Sequence, residues 1–168
     1  SKWINRLLPL NAHQFKIGLS SLPLCPSRCN CIEDSTHFLR CPHPSRRSLY
    51  DQLHKDLSLV FNNHFLDPDL RRATLTLIDV YSDGLPRSPF NWRYLDILKR
   101  QNAIGDDLIF VGLFSNQWCV YQTEYLQMMH RDTSRNQGEQ GVLAIVITIL
   151  KFVDQIWFLR NEHMHGTG

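Results

Sequence analysis

Four of the five cysteines in this 168-residue chain lie between residues 25 and 41, with His37 among them. No other feature restricts the fold as much. A secreted disulfide scaffold spreads its cysteines to staple distant loops. Clustering around a histidine instead suits a metal site in a reducing, intracellular compartment, nuclear or cytoplasmic. Zinc takes four soft or borderline ligands at tetrahedral angles. Cys25 and Cys29 come from a tight turn, and His37 and Cys41, four apart, share one face of a helix. These four would close the site and leave no position for water, which makes it structural rather than hydrolytic. Three residues separate Cys25 from Cys29, one more than the commonest turn of this kind. Cys31 therefore competes for the second position and His43 for the last. Cys119 stands alone and reads as a core thiol.

Around the cluster the pattern is helical. Pro26, Pro42 and Pro44 punctuate a compact loop unit over 25–44. Leu49, Leu53, Leu57, Val60 and Phe61 recur at three and four spacings, which predicts an amphipathic helix over 45–61. Asp67 and Pro68 mark a helix start, and Gly84 a stop. Pro9 should end any helix begun at Trp3. Residues 85–91 read as a loop, 92–101 as a helix broken near Gly105, and Ser115 as the cap of a helix through Met129. Residues 131–141 read as a polar connection, and 142–163 as the longest helix. The expectation is a mainly α fold: a small zinc knuckle, in which a short hairpin is usual, on a bundle of about five helices. Residues 1–47 form the N-terminal segment with the knuckle, and 48–168 the helical region packed as one domain with it.

Charge is uneven. Residues 1–47 carry seven Lys/Arg against Glu33 and Asp34, a net of +5; the remainder carries eleven basic and fourteen acidic residues, a net of −3. A basic front suggests a polyanion partner. Arg28, Arg40, Arg46 and Arg47 on a rigid knuckle would meet phosphates of RNA or DNA without reading bases. Phe38 is either a stacking surface or a staple beneath the metal. The apolar run Val142–Leu150, closed by Lys151, falls short of the roughly 20 residues of a bilayer span, so no membrane contact is expected. Ser1 in place of Met, and an end at Gly168 just after an apolar segment, suggest a region of a longer protein.

Some short motifs invite catalytic readings. Tyr81, Ser82, Asp83 and Gly84 look like half of a polymerase Y-x-D-D turn; Gly105, Asp106 and Asp107 look like G-D-D; Asp51 and Asp56 supply a paired-carboxylate spacing. Polymerase chemistry needs carboxylates clamping two metals on a palm sheet, and these segments have helical surroundings. His163 and His165, two apart, point to different sides of a helix and suit its C-terminal end. No enzyme activity is expected of this chain by itself.

The run Trp3, Ile4, Asn5, Arg6, Leu7, Leu8, Pro9, followed by Cys25-Pro26, Cys29, Glu33-Asp34, His37 and Cys41-Pro42-His43-Pro44, resembles the zinc-binding region downstream of the reverse transcriptase in non-LTR retroelement polyproteins. Gln101 to Gly105, Ser115 to Trp118, Gln122 with Tyr125, and Trp157 to Gly166 are similar to the same elements more loosely. The resemblance implies a non-catalytic, zinc-binding accessory region whose partners are nucleic acid and the rest of the parent polyprotein. The alternatives are a structural or protein-interaction domain with a stabilising zinc, and an inactive retroelement remnant.

Overall fold

Three- and four-residue apolar spacing becomes helix along almost the whole chain. The computed structural model describes residues 10–82, 91–129 and 135–166; the stops expected at Pro9 and Gly84 and the loop over 85–90 lie outside them. Among the described residues, two short helices, α1 (Asn11–Lys16) and α2 (Ser35–Arg40), precede five longer ones. These are α3 (Pro44–Asn63), α4 (Pro68–Ser82), α5 (Trp92–Ile104), α6 (Gln117–Met128) and α7 (Arg135–His165). A 3-10 helix, Asp106–Val111, joins α5 to α6. There is no strand among the described residues, and the hairpin of the knuckle is reduced to one antiparallel bridge, Leu24 to Ile32.

Local chemistry sets the helix starts. Pro44 opens α3 behind His43, whose Nδ1 accepts from the Ser45 N–H. Asp67 Oδ1 accepts from the Asp69 N–H ahead of α4, and Asn91 Oδ1 from the Arg93 N–H ahead of α5. Ser115 Oγ accepts from the Gln117 N–H at the start of α6. Gly105, at φ 141°, ends α5 in a conformation that a side chain would strain.

Helix α7 is the spine. It packs against α3, α6 and the 3-10 helix, while α4 pairs with α5. Its buried residues Val142, Ile145, Ile149, Phe152 and Ile156 alternate at three and four, one stripe facing Leu53, Leu57 and Phe61 of α3 and Trp118 and Tyr121 of α6 in a single core. Each such aliphatic burial is worth about 1.5–3 kcal/mol over exposure. On the opposite side Leu143, Ile147 and Phe158 are exposed.

Three expectations are corrected or qualified. The polar connection over 131–141 is helical from Arg135 onward. Gly138 faces Thr123 and the Cys119 carbonyl, and Gly141 faces Leu66 and His64. Missing side chains thus let α7 approach α6 closely, and packing overrides poor helix propensity. The division at 47/48 falls inside α3, and Leu10, Phe38 and Leu39 share the core of the bundle. Finally, by length and composition α7 over Gln137–His165 is long and apolar enough to cross a membrane, since one Lys151 does not interrupt a helix. In this fold its apolar stripe is the core of the bundle.

Candidate metal centre

The knuckle is a turn followed by one short helix. Cys25 N–H donates to the Cys31 carbonyl and Arg28 N–H to the Cys25 carbonyl. Arg28 and Asn30 both adopt left-handed backbone, with φ 60° and 61°. Two such residues coil the chain tightly enough to absorb the extra residue between Cys25 and Cys29. Asp34 then caps α2, its Oδ1 accepting from the His37 N–H at 2.8 Å. That cap fixes the backbone of His37, and one turn later α2 ends at Cys41.

The four expected ligands converge. One donor atom from each of Cys25, Cys29, His37 and Cys41 lies within 4.8 Å of every other, an arrangement that could hold a metal ion. Cys25 Sγ and Cys41 Sγ are 3.8 Å apart, Cys41 Sγ and Cys29 Sγ also 3.8 Å, and Cys29 Sγ and His37 Nε2 3.1 Å. Cys25 and Cys41 are buried, and Cys29 and His37 half-buried. The Cys25 thiol is pushed up to about 11 by its hydrogen bond to Cys41 and then by burial. Cys41, at the other end of that bond, is lowered, and Cys29 is raised by burial. Both rivals lie outside the cluster. Cys31 is exposed, its thiol turned to the Cys29 carbonyl, and His43 is spent on capping α3. Asp51, Asp56, Asp106 and Asp107 belong to no grouping of three or more potential metal donors among the described residues; Asp83 and Gly84 lie outside them.

The knuckle is bolted to the spine by residues distant in sequence. Arg160 of α7 makes a two-pronged ion pair with Glu33, Nε to Oε1 at 2.7 Å and Nη2 to Oε2 at 2.8 Å, both side chains almost wholly buried. Glu33 Oε2 also accepts from the Asn11 N–H, and Asn11 Nδ2 donates to the Leu24 carbonyl. Ser27 Oγ bonds His163 Nδ1 at 2.7 Å, and the His163 ring rests on His43 with centroids 4.8 Å apart. Burial lowers the His163 pKa. Phe38 is fully buried against Trp157, so it is a staple and not a stacking surface. The role of His163 was invisible in the sequence, since Ser27 lies far from it along the chain.

The basic set divides. Arg28 is exposed; Arg40 and Arg47 are half-buried, Arg47 lying over the Tyr50 ring. Arg46 is corrected: it is 1% exposed, with Nη1 donating to the Phe38 carbonyl, and cannot reach a phosphate in this fold. The signal was available. Arg46 stands four before Tyr50 and seven before Leu53, on the face of α3 that turns inward.

The rear residues of the resemblance serve the backbone. Gln101, fully buried, donates to the Gly105 and Leu113 carbonyls and accepts from the Ser115 N–H. Gln122, equally buried, accepts from the Asp67 N–H and donates to the His64 and Phe65 carbonyls. Each staples a loop whose polar groups would otherwise be buried without partners. Compared with known proteins, the chain matches no family model, no curated protein and no solved structure.

Proposed function

We propose that this chain is a non-catalytic module built around a structural zinc ion, held by Cys25, Cys29, His37 and Cys41. The observation that carries the reading is the closure of this donor set. Bonds of about 2.3 Å from zinc to sulfur at tetrahedral angles place sulfurs about 3.8 Å apart, the separation found for Cys25–Cys41 and Cys41–Cys29. Three thiols and an imidazole favour zinc over hard cations. Four protein ligands leave no open position at which water could be activated. Free thiols at all five cysteines suit a reducing compartment, nucleus or cytoplasm.

Within that reading the module is an accessory region of the kind that follows the reverse transcriptase in non-LTR retroelement polyproteins, with zinc ordering the knuckle that Arg160 and His163 fasten to the bundle. Contact with nucleic acid falls to Arg28, Arg40 and Arg47. A second reading, attachment to another protein surface, is favoured by the exposed apolar side of α7 at Leu143, Ile147 and Phe158. Elemental analysis of protein purified under reducing conditions should give one zinc per chain, and its absence would sink the central claim. Titration of labelled single-stranded RNA and DNA at two salt concentrations separates the partner readings. Nucleic-acid contact predicts weak, sequence-blind binding whose log K falls by about 0.7–0.9 per phosphate against log salt. Replacing Arg28, Arg40 and Arg47 by Ala should flatten that slope and keep the zinc. The protein-surface reading predicts no measurable binding at low salt.

A further inference from the structure

Arg46 presents a problem that the bundle does not solve. Its guanidinium is 1% exposed, and one nitrogen donates to the Phe38 carbonyl at 3.2 Å. Nε and Nη2 are buried with no hydrogen-bond partner among the described residues. A buried charge without a counter-charge is strongly unfavourable. Its position makes matters worse. Arg46 lies in the first turn of α3, where the helix dipole disfavours a cation. The Phe38 ring, 5.9 Å away, supplies only a weak cation–π contact, and a negative charge nearby would offset both effects.

The helix that carries His37 and leads to Cys41 lies against this guanidinium. Pro42 and Pro44 stiffen the backbone link from Cys41 to Arg46. The guanidinium is anchored on the carbonyl of Phe38, the residue after His37, and the Arg46 N–H bonds the His43 carbonyl, two residues beyond Cys41. Three thiolates around one divalent zinc carry one net negative charge. That charge is largely enclosed, with Cys25 4% and Cys41 1% exposed. Cation and centre thus each need what the other supplies.

We infer that Arg46 is the counter-charge of the zinc–thiolate centre and a positioning residue that sets its affinity, an inference resting on the zinc reading above. The test is competition for zinc against a chromophoric chelator, with the full chain at pH 7.5 and helicity followed by circular dichroism. Arg46→Met preserves bulk and removes charge; it should weaken zinc binding by about 10–100-fold, the cost typical of losing a group behind the ligands. Arg46→Lys, which keeps the charge, should recover much of that loss. On a Cys29→His background the centre with bound zinc is neutral, so the Arg46→Met penalty should shrink severalfold. If wild type binds no zinc, the functional reading falls first. If wild type and Arg46→Met bind zinc equally, or Met and Lys lose affinity alike, this inference alone is overturned and Arg46 is a packing residue.

Discussion

Between Pro23 and His43 the buried apolar residues are Cys25, Phe38, Leu39 and Cys41; α7 alone buries Val142, Ile145, Ile149, Phe152 and Ile156 in one stripe. The two regions therefore solve the same problem differently. The bundle removes enough apolar surface from water to offset the entropy of ordering its chain. The knuckle is too short for that, and two of its four buried apolar residues are cysteines of the candidate metal site. Its order comes from convergent donor atoms, one helix cap and a buried ion pair to the spine. On the zinc reading, one region is conditional on metal and the other is not.

The sharpest way to break this contrast is to remove a ligand. Cys29→Ser or Cys41→Ser should abolish zinc binding and expose the amides of residues 25–43 to hydrogen exchange, while α4 and α5 stay protected. Structural zinc sites are worth roughly 10–16 kcal/mol in isolated small units, so no other single change should act as strongly on the knuckle. Cys119→Ser should keep the metal. Equal exchange in knuckle and bundle after ligand loss would show that the two regions are one cooperative unit. Next comes the bolt between them. Arg160→Met leaves Glu33 buried without its partner and should cost about 3–5 kcal/mol in denaturant melts. The Glu33→Leu, Arg160→Met pair should regain most of that.

Acidity gives the third effect. Cys25 and Cys29 have pKa values raised above the ordinary thiol value in the metal-free chain, so both hold protons at neutral pH. Zinc must displace them, and each displaced proton makes affinity rise about tenfold per pH unit. Affinity should therefore climb between pH 6 and 8 and fall as acid is added; a flat profile in chelator competition would contradict thiolate ligation. The smallest effect belongs to the bundle. A Cβ at Gly138 would stand 2.2 Å from Thr123 Oγ1 and 3.1 Å from the Cys119 carbonyl oxygen. Gly138→Val should thus destabilise the α6–α7 crossing by about 1–3 kcal/mol and leave zinc affinity unchanged.

Much of this architecture was legible because it is local. The 25-29-37-41 spacing, the periodicity of α3 and the starts of α4 and α6 each depend on residues within a turn or two. What escaped was set by distant partners. Gly138 and Gly141 look like a linker until α6 and Leu66 are seen against them. His163 looks like a helix end until Ser27 arrives beside it. Arg46 is the instructive miss: its place on the inward face of α3 could be read from periodicity, but basic residues near a knuckle suggested surface charge. Nothing in the spacing of Glu33 and Arg160 said that they would pair.

That pairing has a consequence for how the chain is made. Glu33 leaves the ribosome more than a hundred residues ahead of Arg160, a wait of several seconds or more at typical elongation rates of about 5–20 residues per second. Throughout that interval the carboxylate lacks its counter-charge, so the N-terminal unit cannot dock in its final place. Metal uptake can precede docking, because all four donors lie on the early side. On the zinc reading, the knuckle would then emerge with its metal loaded and its attachment pending until α7 arrives.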